Sequence, residues 1–373
     1  MAHLFEEFPI RGIALPHRIA VSPMCQYSAV DGVPTDWHLV HLGSRAIGGA
    51  ALVFTEATAV NAEGRISDGD TGIWNGEQTE AWARIARFLN ENGSYAGIQL
   101  AHSGRKASTA RPARGGKPVP PAEGGWIPVA PSPIPFTDGY TVPRELTETG
   151  IVQVVRAFRD AAQRGLDAGF QVIEIHSAHG YLLHEFLSPL SNQRTDCYGG
   201  SFDNRVRLLC QVARAVRTVW PERLPLFVRV SAVDWVEGGW TLDDTVELAR
   251  RLKQLGVDLL DCSSGGNAVQ AQVFAAAGYQ TPFAERVRRE AGLATGAVGL
   301  ITSAAQADHI VRSGQADMVF LAREMLRDPY FPMRAARELE WKGTAPVQYM
   351  RAEPAGWSAR KPVPTGPVSD TEP

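Results

Sequence analysis

The 373-residue sequence has no apolar run approaching the roughly 20 residues that a bilayer-crossing helix needs. It has only four cysteines, Cys25, Cys197, Cys210 and Cys262, and none of them form a C-x-x-C pair. That spacing excludes a cysteine-built zinc site or iron–sulfur cluster and fits a reducing compartment. There is no surplus of base: 37 Lys and Arg oppose 40 Asp and Glu, a formal charge of −3, which argues against nucleic acid as a partner. The opening residues, Met1-Ala2-His3-Leu4-Phe5-Glu6-Glu7, lack a basic stretch followed by an apolar one, so no secretory signal is expected. No internal repeat is visible. The composition, 44% hydrophobic and 21% charged, excludes wholesale disorder, and the length permits a large core. A cytoplasmic enzyme with neither membrane nor nucleic-acid partners is the expectation.

What the sequence does have is alternation. After a short N-terminal hairpin around Arg11-Gly12, strand-like runs fall at 18–24, 51–57, 95–101, 172–178, 226–232, 258–264, 295–301 and 318–323. Amphipathic helical stretches lie between them, near 37–48, 77–91, 147–168, 203–219, 241–255, 282–292, 303–314 and 329–340. Thr241-Leu-Asp-Asp and Thr302-Ser303 supply helix start signals. Eight strands each followed by a helix predict an α/β fold of the (β/α)8 TIM-barrel type. A doubly wound fold would place G-x-G-x-x-G after its first strand, where this chain has Ser22-Pro23-Met24-Cys25. Residues 1–351 are thus expected to form one barrel, and the proline-rich stretch 352–373 a flexible tail. One connection breaks the rhythm. Residues 103–146, after the third barrel strand, are crowded with Gly and Pro and predict a lid or binding loop.

Side-chain parity divides the strands. Ile173 and Ile175 alternate with Glu174 and His176; Leu226, Val228 and Val230 with Phe227, Arg229 and Ser231. Gln99 opposes Ile98 and Leu100, while Asp261 and Ser263 oppose Leu260 and Cys262. Polar groups therefore gather on the presumed inner face near the C-terminal strand ends. Buried without partners they would cost about 2–7 kcal/mol each. They either satisfy one another or meet a polar cofactor or substrate at the barrel mouth, the usual site in this fold.

His176-Ser-Ala-His179-Gly-Tyr181 stands where the fourth barrel strand ends. Two imidazoles three residues apart can converge on one atom. A metal there would draw a third ligand such as Glu174, but no H-x-H on the first strand completes that pattern. An oxyanion would instead find a pair of donors. Ser191-Asn-Gln-Arg194-Thr-Asp196-Cys-Tyr198-Gly199-Gly200 follows, a glycine turn between charges that can pin the loop.

The run from His176 through Asn204-Arg205 resembles the signature of the old yellow enzyme family of FMN-dependent ene-reductases. Further matches are Pro23-Met24-Cys25-Gln26-Tyr27, Glu56-Ala57-Thr58-Ala59, Gln99-Leu-Ala-His102-Ser-Gly-Arg105-Lys106 and Val228-Arg229-Val230-Ser231. Gly278-Tyr279-Gln280, Gly299-Leu300-Ile301-Thr302 and Leu321-Ala322-Arg323 complete the series, which runs in order over roughly residues 3–352. Cys25 and Tyr27 resemble most the bacterial branch of xenobiotic reductases and NADPH dehydrogenases. The resemblance implies noncovalent FMN across the barrel mouth, with NADPH as reductant. Ser22, Pro23, Met24, Cys25, Ala57, Gln99 and Arg229 would surround the ring. Gln99 would meet its pyrimidine edge, Arg229 the N1–O2 side, and Cys25 the region of N5. Gly299, Ala322 and Arg323 would hold the phosphate.

By the same resemblance His176 and His179 would bind the activating group of an α,β-unsaturated carbonyl compound or nitroalkene. Tyr181 would donate the proton at Cα, and Tyr27 would lean over the substrate. Arg105 and Lys106 would form a basic pair near flavin or NADPH, solvated surface charge being the alternative. A homo-oligomer, dimer or tetramer, is implied. Pro346 to Arg351 resembles a stretch through which relatives pass an arginine into a neighbouring subunit, although here Ala352 to Trp357 lengthens the spacing before the tryptophan. The rival readings are a metal-dependent barrel hydrolase using His176, His179 and Glu174, and a flavin-binding barrel without catalysis.

Overall fold

The structure, a computed structural model, describes residues 2–365. The chain opens with an antiparallel hairpin of β1 (Phe8–Ile10) and β2 (Ile13–Leu15). β3 (Ile19–Val21), α1 (Asp36–Ile47), β4 (Leu52–Ala59), α2 (Gly76–Glu91) and β5 (Tyr95–Ala101) follow. The long connection after β5 holds three short 3-10 turns and the paired two-residue strands β6 (Val129–Ala130) and β7 (Arg144–Glu145). Next come α3 (Glu148–Asp167), β8 (Val172–Ser177), α4 (Leu182–Leu187), α5 (Phe202–Arg205), α6 (Arg207–Arg217), β9 (Leu226–Ser231), α7 (Leu242–Gln254) and β10 (Leu259–Ser263). α8 (Thr281–Ala291), β11 (Ala294–Val298), α9 (Ala304–Arg312), β12 (Met318–Leu321), α10 (Arg323–Arg327) and α11 (Phe331–Glu338) complete the alternation, and β13 (Thr344–Ala345) pairs with β14 (Ser358–Ala359).

Strands β3, β4, β5, β8, β9, β10, β11 and β12 are all parallel and close into one barrel, with β12 hydrogen-bonded back to β3. This is the eight-stranded α/β barrel that the alternation predicts. The helix signals act as read: Thr241 and Asp244 form a reciprocal capping box before α7, and Ser303 caps α9 by accepting from Gln306 N–H. The expected helix 203–219 is divided at Val206, and α4 and α10 are additional short helices at the barrel mouth.

Side-chain parity separates two apolar bodies. Ile98, Ile173, Ile175, Val228, Val230 and Leu260 face outward and join the helices in a continuous core. Inside the barrel, Leu52, Phe54, Val172, Phe227, Leu259, Met318 and Phe320 form a separate plug. Phe54 lies 6.1 Å, centroid to centroid, from both Phe227 and Phe320. Gly296 makes room for this stack: a Cβ there would strike the Phe320 ring. The plug fills the lower barrel, so polar inward residues can stand only above it, at the C-terminal end.

The flexible tail expected from residue 352 is corrected through residue 365. Arg360 donates from Nη1 to the carbonyls of Ala46 (2.6 Å) and Ile47 (3.0 Å), satisfying the C-terminal end of α1. Val363 N–H donates to Asn90 O at 2.9 Å, and the Val363 side chain is buried against the barrel plug. Proline content marked this stretch as non-helical but not as unanchored. Residues 366–373, the rest of that expectation, lie outside the described residues.

Phe227→Ala removes the centre of the plug and is expected to destabilise the fold by about 3–5 kcal/mol. A thermal midpoint within a degree of the parent would contradict this packing.

Candidate active site

The floor of the mouth rests on the phenylalanine plug. β9 carries Arg229 beside Asp261 on β10 and His176 on β8 in register, and β5 sets Gln99 beside Glu174. Gln99 Nε2 donates to Glu174 Oε1 at 2.7 Å. Arg229 Nη1 donates to Ser22 Oγ at 2.9 Å, and its Nε lies 3.2 Å from Asp261 Oδ2 as an ion-pair contact without hydrogen-bond alignment. One guanidinium thus sits among two fully buried carboxyl groups. Burial pushes both carboxyls up, and the Arg229 charge opposes that shift.

Above this floor, β8 ends in the turn that carries His176, His179 and Tyr181. The His176 ring is edge-on to both His179 and Tyr181, with centroids 5.1 and 5.2 Å away. His179 has φ 61°, in the left-handed region, and the next residue, Gly180, has φ 72°. A Cβ on Gly180 would strike Gly266 O, so the turn packs backbone to backbone against the loop after β10. His184 Nδ1 accepts from Gly180 N–H at 2.9 Å, while its Nε2 faces Asp234 at 3.0 Å. Ser231 Oγ accepts from His179 N–H at 2.9 Å.

The chemistry of the two imidazoles follows from their surroundings. Burial, then the charge of Arg229, holds both well below the usual imidazole range, so they are neutral near pH 7. His176 Nδ1 is buried with no partner among the described residues. His179 Nε2 lies 2.7 Å from Ser263 Oγ. Gln280 Oε1 already accepts from Ser264 Oγ at 2.6 Å and lies 3.5 Å from Ser263. Ser263 Oγ can donate to Gln280 Oε1 at 3.5 Å or to His179 Nε2 at 2.7 Å; the much shorter contact is the favoured one, and it puts the N–H of His179 on Nδ1. The arrangement is a pair of neutral imidazoles that Glu174, turned to Gln99 on the floor below, does not join.

Ser22 to Tyr27 cross the opposite side of the mouth. Glu56 fixes this segment by accepting from Gln26 N–H at 2.8 Å while its other oxygen meets His38 Nε2 at 2.8 Å. The Cys25 thiol lies beside the Tyr27 hydroxyl; burial and then the nearby Glu56 push the thiol well up, so it stays protonated. Tyr27 has φ 52°, a second left-handed residue at the mouth. Pro23 and Met24 are partly buried beside it, and Ala57 follows an irregularity in the β4–β5 register.

Gly299, Ala322 and Arg323 come together at the ends of β11 and β12, in a cavity of about 160 Å³ shared with Ser263, Gln280 and Arg327. Arg327 is held by Glu324, whereas Arg323 is exposed at the rim. Arg105 and Lys106 are not solvated surface charge. Arg105 is buried and donates to Asn267 O at 2.7 Å, and Lys106 Nζ donates to His179 O and Gly266 O, each at 2.9 Å. Arg351 is exposed, and Trp357 lies under Arg337 against Gly343 of its own chain.

Sequence reasoning missed several neighbours. Phe136 and Tyr140, 5.4 Å apart on the long connection, approach Lys106 and Tyr181. His184 and Asp234 hold the turn from below. The parity of β9 and β10 marks Ser231 and Ser263, but nothing local in the sequence marks Phe136, Tyr140 or His184. The residues present fit a flavin mononucleotide. Among the described residues Gln99 Oε1 and Arg229 Nη2 have no protein partner, and the Arg323 cavity is a separate anion-compatible recess.

Against known proteins, the sequence profile of the NADH:flavin oxidoreductase / NADH oxidase family matches residues 3–342. An NADPH dehydrogenase of Geobacillus sp. (strain WCH70) is 49% identical over 356 residues, covering 95% of this chain and 98% of the relative. Among solved structures, morphinone reductase is similar with TM-score 0.75 and 27% identity, over 91% of this chain and 90% of that one. An old yellow enzyme homologue from Zymomonas mobilis is similar with TM-score 0.76 and 25% identity, over 90% and 93% of the two chains. Among the described residues no helix is long and apolar enough to cross a membrane.

Ser263→Ala should release the tautomer of His179. Nitrogen-15 spectra of the imidazoles are expected to show Nδ1–H for His179 in the parent and a mixture in the variant. Nε2–H in the parent would refute the assignment.

Proposed function

The chain belongs to the NADH:flavin oxidoreductase / NADH oxidase family, and from that premise we propose that it reduces the activated C=C bond of α,β-unsaturated carbonyl compounds and nitroalkenes. That it is an NADPH-dependent FMN oxidoreductase of old yellow enzyme type follows from the family and its relatives. The substrate class rests on one observation: two neutral imidazoles, His176 with a buried nitrogen that has no partner among the described residues, stand beside a half-buried phenol above a floor carrying a cation.

FMN, when bound, would supply the hydride chemistry that links NADPH to the alkene. The protein's residues do the rest. Gln99 Oε1 is oriented to accept from the pyrimidine edge because its amide nitrogen is held by Glu174. Arg229 is set between Ser22 and Asp261 and would place positive charge at the N1–O2 side. Ser22 to Cys25 and Ala57 would flank the ring, with Gly299, Ala322 and Arg323 around the phosphate.

His176 and His179 hold the substrate's carbonyl or nitro oxygen and stabilise the negative charge that gathers there as Cβ is reduced. Being neutral, they act as hydrogen-bond donors and lose no proton. Tyr181 holds the proton that passes to Cα. Burial, then the Cys25 and Tyr27 groups, push its phenol well up, so it is protonated and ready across the neutral range. Tyr27 closes the substrate from the facing side.

His176→Ala and His179→Ala are each expected to slow 2-cyclohexenone reduction by about 10²–10³-fold with FMN still bound. Parent kcat/KM in both variants would refute the donor pair. Arg229→Ala is expected to purify largely without flavin, and a fully yellow variant would remove Arg229 from the ring contact. NADPH oxidation that no activated alkene accelerates would favour a flavin protein with another role.

A further inference from the structure

Lys106 occupies the junction of four segments. It ends the turn after β5, and its Nζ donates to His179 O in the β8 turn and to Gly266 O in the loop after β10, both at 2.9 Å. The same nitrogen stands 4.4 Å from the ring centroid of Phe136, on the long connection, and 5.3 Å from that of Tyr181. The two carbonyls fix the ammonium where the Gly180–Gly266 contact brings the loops together, and both rings see its positive charge.

This position bears on proton transfer. When Tyr181 gives up its proton, the O–H bond breaks, a C–H bond forms at Cα, and the electron pair stays on the phenol oxygen until water reprotonates it. The phenol has Cys25, Tyr27, Tyr140 and Asp70 as neighbours, each of which raises the cost of a negative ring. Lys106 is the cation in contact with that ring. We propose that Lys106 is a positioning residue for the proton donor: anchored by the His179 and Gly266 carbonyls, its ammonium holds the Tyr181 turn and offsets the phenolate charge formed as the substrate is protonated.

The proposal rests on Tyr181 being the acid. The groups facing Lys106 are Arg105 on its own turn, Glu185 on α4, His176 and His179 on the β8 side and Tyr181 itself, with Tyr140 beyond Phe136 on the long connection; the loop after β10 contributes only a carbonyl. Burial, and secondarily Arg105, lower the Lys106 pKa to about 8, with Glu185 opposing. The cation is therefore present below that pH and lost above it, so protonation of the substrate should slow as pH rises through about 8.

The test uses FMN-loaded enzyme reduced with NADPH and mixed with 2-cyclohexenone, following flavin reoxidation per bound flavin from pH 6 to 10. The parent rate is expected to fall through pH 8. Lys106→Arg, whose charge does not titrate, should lose that limb. Lys106→Met should be roughly 10–100-fold slower at pH 7, with a larger solvent deuterium isotope effect. In a Tyr181→Phe background, Lys106→Met should cost less than about threefold more. A Lys106→Met rate within twofold of the parent with the same pH profile, or an equal loss in the Tyr181→Phe background, overturns the proposal while leaving Tyr181 as acid. A parent rate in Tyr181→Phe alone instead overturns the acid assignment, and with it the proposal. If Lys106→Met does not fold, the pH limb of Lys106→Arg decides: its persistence refutes the role.

Discussion

The burial of Arg229 is the interaction on which the rest of the mouth depends. A guanidinium that is 5% exposed inside a barrel would be intolerable without compensation, and Asp261, Ser22 and the nearby Glu174 provide it. The compensation is incomplete by design of the strand register. Asp261 and Glu174 each keep buried oxygens without hydrogen-bond partners among the described residues, and one arm of Arg229 faces the mouth. A polar layer that cannot close on itself is completed by a polar ligand. The phenylalanine plug below prevents the alternative, in which water enters from the N-terminal end and solvates the same groups.

The same cation governs the histidines. Arg229 stands next to His176 across the β8–β9 ladder, and its charge adds to burial in keeping both imidazoles neutral. A neutral ring has one N–H and one acceptor, so each needs a defined tautomer to serve as a donor. The short Ser263 contact favours one for His179, and the left-handed turn at His179-Gly180 sets the direction of the ring. That turn is unfavourable for a non-glycine residue and persists because Ser231, His184 and Lys106 hold its backbone from three sides.

Much of this was legible in the sequence, for identifiable reasons. The period-2 alternation on β8, β9 and β10 marked Glu174, His176, Arg229, Asp261 and Ser263 as inward, because strand parity is a local property. The eight strands were countable because each is bounded by an amphipathic helix. What escaped depends on long-range placement. Arg360 reaches carbonyls of α1 more than 300 residues away, Arg105 reaches Asn267, and Phe136 reaches Lys106 from a loop with no periodicity to read. Charge alone could not show that Arg105 and Lys106 point into the protein, since the turn after β5 that aims them follows from Gly104 fitting against Glu185.

The long connection also takes on a more definite character than its composition suggested. Gly and Pro exclude helix and strand over most of residues 103–146 but do not make the segment loose. Arg65 lies 5.4 Å from the ring centroids of both Trp74 and Trp126, and Trp126 Nε1 donates to Glu63 O at 2.9 Å, which fastens the connection to the loop after β4. Further along, Arg194 donates to Pro131 O and Leu146 O. Between these ties Phe136 and Tyr140 present an aromatic face to the mouth, next to Lys106 and Tyr181. The width of the mouth between that face and Tyr27 is therefore set in part by how this connection is fastened.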